Sequence, residues 1–159
     1  MKVITVTGTP ATGKTTLAKQ IASSLGYDYI DVNSVIKEHG LCEDYDKARH
    51  CTVVDIDKLN AVLLAIIDKS SSDLVIDSHM SHFLPHDKVD LVIITKCSLK
   101  ELEKRLKDRH YPKTKVRENL DSEIFDICLV EAQEQGHTIL EVDTDSEVDI
   151  DKIKKKLKN

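Results

Sequence analysis

Lys2-Val3-Ile4-Thr5-Val6-Thr7-Gly8-Thr9-Pro10-Ala11-Thr12-Gly13-Lys14-Thr15-Thr16 decides the fold of this chain. Residues 2–7 form a short, β-branched, apolar run that reads as a buried strand. Residues 8–15 then match G-x-x-x-x-G-K-[ST] at every fixed position. Behind them Leu17, Ile21 and Leu25 recur at helical spacing and Gly26 supplies a stop, so the spacing predicts a helix over 14–25. Strand, glycine loop and helix in that order make a phosphate-binding loop. Its glycines let the backbone turn tightly, its N–H groups face phosphate oxygens, and the helix N-terminus adds a favourable dipole. Gly8 and Gly13 shape the cradle. Lys14 is expected to reach the β- and γ-phosphates of a nucleotide, the Thr15 hydroxyl to ligate Mg²⁺, and Thr16 to touch the α-phosphate.

Outward from the loop, strand and helix patterns alternate. Strands are expected near 27–31, at LVID (74–77), at DLVIIT (90–95) and at HTILEV (137–142). Helices are expected over 32–40, over 55–69 with Asp55 near its start, over 99–109 behind Ser98, and over 118–135. The stretch 41–54 reads as polar and irregular, 78–88 as a loop, and HYPKTKVREN (110–119) as a polar interruption. A C-terminal helix carries Ile150, Ile153 and Leu157 on one side. Asp145, Glu147 and Asp149 open it and lysines close it, which suits the helix dipole better than a nucleic-acid arm. At 159 residues this is one α/β layered domain with a parallel sheet.

Asp77 ends a predicted buried strand, where a carboxylate would hold Mg²⁺ opposite Thr15. His79 follows two residues later and is suited to positioning a water or a phosphate oxygen. His79, His82 and His86 with Asp77 and Asp87 also compose a zinc set, which the magnesium assignment at the same sheet edge outweighs. Only four of the 23 basic side chains are arginine, and Arg105, Arg109 and Arg117 fall within 13 residues. The planar guanidinium fork suits phosphate oxygens. Arg105 and Arg109 are four apart and share a helix face, and the segment beyond them reads as a mobile flap that closes over transferring phosphates. A surface paired with Glu101, Glu103 and Asp108 is the other reading of these arginines. For a second substrate, Lys37 is the expected phosphate contact, with Arg49 and His50 further candidates.

Other classes are excluded on sequence. Thr95-Lys96-Cys97-Ser98 lacks both the Asn and the Asp of a guanine-reading N-K-x-D motif, and Asp77 is followed by Ser78 where a hydrolytic motor places Glu. A net charge of −5 argues against indiscriminate nucleic-acid binding, and no direct DNA binding is expected. No apolar run approaches the roughly 18 residues of a membrane span. The N-terminus shows no leader pattern, and four separated cysteines without a CxxC pair suit a reducing, cytoplasmic setting.

GTPATGKTT, VIDSH at its spacing, CEDYDKARHCTVVDIDKL and RLKDRHYPKTKVRENLDSEIF together resemble the adenylate kinase isoenzyme 6 group, from Val3 to about Glu134. That group includes the coilin-interacting nuclear ATPase of eukaryotes and archaeal relatives. The resemblance implies a P-loop NTPase fold of the nucleoside monophosphate kinase type, with a five-stranded parallel core. It implies an NMP-binding region at 31–54, a short lid at 108–118, and ATP contacts from Ala11, Gly13, Lys14, Thr15, Thr16 and Arg109. It further implies transfer of the ATP γ-phosphoryl group to AMP, intrinsic ATPase activity, and a role in small ribosomal subunit maturation through a ribosomal protein, in the cytoplasm or, in a eukaryote, the nucleus. The alternative is an assembly ATPase whose kinase activity is incidental. The chain departs from the group's pattern at three places. Ala11 stands where many relatives have Gly, which the loop accepts if φ there is negative. Lys37 stands for Arg, and His110 for Gly.

If Lys14 carries the charge of the transferring group, Lys14→Ala is expected to lower turnover by at least about 10²–10³-fold. Steady-state nucleotide turnover checks this, and wild-type-like rates would reject the assignment.

Overall fold

In the computed structural model, which describes residues 1–46 and 51–158, the apolar β-branched runs lie side by side. The elements are β1 (Val3–Thr7), α1 (Lys14–Leu25), β2 (Asp28–Asp31), α2 (Val32–Glu38), β3 (Cys42–Asp46), β4 (Cys51–Val54), α3 (Ile56–Lys69), β5 (Leu74–Asp77), β6 (Leu91–Lys96), α4 (Leu99–Asp108), α5 (Lys113–Ile124), α6 (Ile127–Glu134), β7 (Ile139–Asp143) and α7 (Ile150–Lys158). Five strands pair in parallel in the order β2-β5-β1-β6-β7. β1, β5 and the first five residues of β6 are buried throughout. Runs hydrophobic on both faces are what a sheet covered on both sides requires.

One face packs α1 and α7 through Leu17, Ile21 and Ile153 against Ile4, Val6, Val75 and Ile93. The other packs α2, α3 and α6 through Val35, Leu59, Leu63 and Ala132 against Val3, Leu74, Ile76 and Val92. A smaller cluster joins Ala11 of the phosphate loop to Leu102 and Leu106 of α4 and Val116 of α5. The chain turns from one side of β1 to the other between β5 and β6, so the phosphate loop leaves the sheet at the switch point where α/β folds hold ligands. Register pairs Val6 with Asp77 and Asp31 with Asp77, which brings the ends of β1, β2 and β5 to one edge.

Several elements differ from the sequence expectation. The stretch 41–54 contains an antiparallel ribbon, β3 with β4, whose register shifts between Cys42 and Asp44. It stands apart from the main sheet, so it carries no alternating apolar pattern. The single helix expected over 118–135 is two, and the interruption at 110–119 is largely the first half of α5, which starts directly behind Pro112. The break falls at Asp126, whose φ is 51° and whose carboxylate is held, with that of Glu123, by Lys96. At α7 the cap is Asp149 alone, accepting from the N–H groups of Asp151 and Lys152 at 3.0 and 3.2 Å. Asp145 instead accepts from the Ser98 N–H at 2.8 Å. Ala11 has φ 70°, so the negative φ that would accept a methyl group without strain is not what this residue adopts. Its methyl group is 4% exposed and packs on the α4–α5 cluster, which offsets the left-handed backbone.

His110 also sits at positive φ, 58°, with an exposed side chain that gains no such packing. Left-handed geometry costs a side-chain-bearing residue about 1–2 kcal/mol, partly offset by the lower unfolded-state entropy it has relative to glycine. His110→Gly is therefore expected to stabilise the chain by about 0.5 kcal/mol, read as a higher urea midpoint at unchanged slope.

Candidate active site

Gly8 leaves β1 with φ 147° so close to β6 that a Cβ there would lie 2.3 Å from Thr95 Oγ1. Only glycine permits that approach. Threonine hydroxyls then hold the loop. Thr12 Oγ1 donates to the Thr9 carbonyl at 2.6 Å and lies 2.6 Å from Thr95 Oγ1. Thr144, after β7, donates to the Thr12 carbonyl at 2.7 Å and shares its proton with the Lys96 carbonyl. Gly13, with φ 88°, turns the chain into α1.

Lys14 is half-buried, and its Nζ donates to the Thr9 carbonyl at 3.1 Å. Desolvation pushes its pKa down to about 8; Arg109 adds to the fall, and Cys128 and Asp77 oppose it. At the next position Thr15 Oγ1 donates to Asp77 Oδ2 at 2.7 Å. Tyr29 of β2 donates to the same oxygen at 2.8 Å. Thr15 and Asp77 thus offer a hydroxyl and a carboxylate side by side, an all-oxygen pair that suits a hard ion such as Mg²⁺. Among the described residues no three His, Cys, Asp or Glu side chains gather as a metal site.

Two cavities meet on this loop. One, about 550 Å³, is lined by Thr16, Gln20, Arg105, Thr144, Ser146 and Val148. The other, about 590 Å³, is lined by Lys14, Thr15, Asp77, His79, Asn33, Tyr111, Lys115 and Asn119. Ala11, Gly13, Thr16 and Arg109 border both. A phosphate chain on the loop therefore lies between two chambers, each large enough for a nucleoside.

The predicted residues do not all meet. Gly8, Ala11, Gly13, Lys14, Thr15, Thr16, Asp77, His79 and Arg109 are brought together around the loop. His79 is an exposed residue at the cleft; desolvation by the cleft, then the charges of Lys14, His82 and Lys115, lower its pKa to about 4, so the imidazole is neutral at pH 7. Arg105 reaches the loop from the wall of the first cavity. Its guanidinium donates to the Ala11 carbonyl at 3.3 Å and to Glu101 at 3.1 Å, with Asp145 4.0 Å away, so it braces the loop backbone. Lys37 is not brought in. It lies exposed one turn beyond Asn33 on α2, and Asn33 lines the cavity instead. Arg49 and His50 lie outside the described residues.

The zinc set is dispersed. His82 is 1% exposed and bridges Thr7 Oγ1 and Glu131 Oε2, each at 2.8 Å, which makes it part of the framework below the loop. The sequence reading missed Tyr29, Asn33, Thr144 and the polar face of α5. Lys115 and Asn119 are spaced by four on α5, and Tyr111 stands just before that helix with its ring centre 3.9 Å from Lys115 Nζ, so helical spacing carried only the first two.

A phosphate loop, an acidic strand end and an arginine at the mouth of a two-chambered cleft define a P-loop phosphotransferase. A family model described as an AAA domain matches residues 4–126. The chain is 39% identical over 142 residues to a protein of Thermococcus kodakarensis named "putative adenylate kinase", covering 89% of this chain and 76% of that one. It is 37% identical to the adenylate kinase isoenzyme 6 homolog of Caenorhabditis elegans, covering 82% and 72%. Among solved structures, a deoxyadenosine kinase from M. mycoides with bound dATP superposes at TM-score 0.58 with 16% identity over the whole of both chains. A shikimate kinase from Acinetobacter baumannii superposes at 0.60 with 15% identity, covering 99% and 90%. These two share the fold. The chain belongs to the family of adenylate kinase isoenzyme 6 and its archaeal relatives. Among the described residues no helix is long and apolar enough to cross a membrane.

Bound phosphates raise the Lys14 pKa above its free value near 8. Nucleotide affinity is therefore expected to be full below that pH and to fall as pH rises through it, by up to about tenfold per unit. Calorimetric titration at pH 7, 8 and 9 in buffers of different ionisation enthalpy reads both the affinity and the proton taken up.

Proposed function

We propose that the chain transfers the γ-phosphoryl group of ATP to a nucleoside monophosphate, with AMP the favoured acceptor, producing two ADP. The observation that carries this reading is the pair of chambers meeting on one phosphate loop. A hydrolase needs room for one nucleotide and a water; a kinase needs room for two substrates in line. Region 31–54, which contains Asn33, serves the acceptor, and 108–118 serves as the lid.

Such a transfer asks little covalent chemistry of the protein, and rate comes from positioning and charge. Lys14 and Arg109 stabilise the transferring group from two sides. Arg105 acts through the Ala11 carbonyl by holding the loop in register. Neutral His79 orients a phosphate oxygen or a water. Thr15 and Asp77 would hold Mg²⁺, which when bound neutralises charge on the β- and γ-phosphates. A reducing compartment such as the cytoplasm suits the free thiols of Cys42, Cys97 and Cys128.

A second reading, an ATP-hydrolysing assembly factor that grips a small-subunit ribosomal protein, draws support from one surface. Ile124, Phe125, Ile127 and Val130 are 47, 67, 40 and 42% exposed at the turn between α5 and α6. A cluster of apolar side chains left in water marks a protein contact.

Turnover of Mg²⁺ and ATP, resolved by chromatography with each monophosphate in turn and with none, separates the two. Stoichiometric diphosphate formation, fastest with AMP, is the expected outcome. Phosphate release indifferent to every monophosphate would reject the kinase in favour of the assembly factor.

A further inference from the structure

Asp77 receives two hydroxyls on one oxygen. Thr15 Oγ1 donates to Oδ2 at 2.7 Å, and Tyr29 Oη donates to the same Oδ2 at 2.8 Å. Asp77 as a residue is 5% exposed. Among the described residues no side chain bonds its other oxygen, Oδ1, and the residue borders the cavity that also holds Lys14 and His79. We infer that Tyr29 is a positioning residue for the metal site: its hydroxyl turns and holds the Asp77 carboxylate so that Oδ1 and the Thr15 lone pairs face the bound cation. This rests on the reading that Thr15 and Asp77 hold Mg²⁺.

The geometry is specific. Tyr29 lies on β2, two residues before Asp31, which is in register with Asp77 on β5. Its ring packs with the core under α1, and Lys19 Nζ lies 5.5 Å over the ring face. The half-buried ring stands on the edge strand beside β5, and its hydroxyl reaches across to the carboxylate at the end of that strand. A half-buried phenol on a packed ring keeps its hydroxyl on a polar partner when one is within reach. Here the partner is the one carboxylate at the end of β5.

A hydroxyl has one proton and two lone pairs. Thr15 spends its proton on Oδ2, so its lone pairs point away from Asp77, toward the cavity. Tyr29 spends its proton on the same oxygen from the neighbouring strand, β2. With two donors, Oδ2 is satisfied and the carboxylate cannot rotate without losing both bonds. Outer hydrogen bonds of this kind fix the orientation of metal-binding carboxylates. Deleting the Tyr29 hydroxyl leaves Asp77 with one orienting donor and a rotation that costs less.

Tyr29→Phe keeps the ring and its packing while removing the donor. The readout is metal coupling: the affinity for ADP measured calorimetrically with Mg²⁺, divided by the affinity in EDTA. In Tyr29→Phe this ratio is expected to fall about tenfold, the lower end for lost outer-shell partners, with affinity in EDTA unchanged. Mn²⁺ in place of Mg²⁺ is expected to show the same fall. Asp77→Asn serves as the reference for a lost metal ligand and is expected to bring the ratio close to one. A wild-type ratio in Tyr29→Phe, alongside a collapsed ratio in Asp77→Asn, would overturn the positioning role. A lower thermal transition with the ratio unchanged would reduce Tyr29 to a packing contact and overturn it equally. Unchanged ratios in both variants would instead overturn the assignment of the metal to Thr15 and Asp77.

Discussion

The phosphate loop is held in shape by hydroxyl groups of threonine, and the rest of the site depends on that restraint. Six residues of loop between a strand and a helix, Gly8 to Gly13, expose backbone groups that no secondary structure satisfies. Here Thr12, Thr95 and Thr144 answer them, from the loop itself, from β6 and from the turn after β7. Each side chain is short and branched, so little rotamer freedom is lost in fixing it. Arg105 adds a charged donor on the Ala11 carbonyl, where the backbone is left-handed. The loop is consequently shaped before any phosphate arrives, and binding energy need not be diverted to ordering it.

Electrostatics follow from the same arrangement. Lys14 is held where desolvation makes its charge costly, which means that charge is worth most when a phosphate neutralises it. Asp77 is buried beside it yet tethered by Thr15 and Tyr29, so the carboxylate stays oriented. His82 and Glu131 tie α6 to Thr7, the last residue of β1, from the opposite face of the sheet. The surface turn at Phe125 and the phosphate loop are thus separated by only one buried histidine and one helix.

Much of this architecture could be read from the residues. β1, β5 and β6 were legible because strands covered on both faces must be apolar almost throughout, and α1 because glycines stand at both of its ends. The loop residues were legible because backbone geometry dictates them locally. What escaped depends on packing between distant segments. Nothing in Asp28-Tyr29-Ile30-Asp31 distinguishes the tyrosine that meets Asp77, because that contact exists only once β2 lies beside β5. The acidic residues of β3 hid a strand, since a ribbon off the main sheet needs no alternating apolar face. Lys37 and Asn33 are both polar residues on one short helix, and only the pitch of α2 against the sheet selects Asn33.

Thr144 bonds a loop laid down more than a hundred residues earlier in the chain. During synthesis from the N-terminus, the glycine loop therefore emerges first and is completed almost last. β1 waits for β5 and β6 to flank it, and the loop waits for β7 and the turn that follows. A nascent chain lacking that turn has the whole phosphate-binding signature but not the restraint that shapes it. A chain released before residue 144 carries the motif without the Thr144 hydrogen bond to the Thr12 carbonyl.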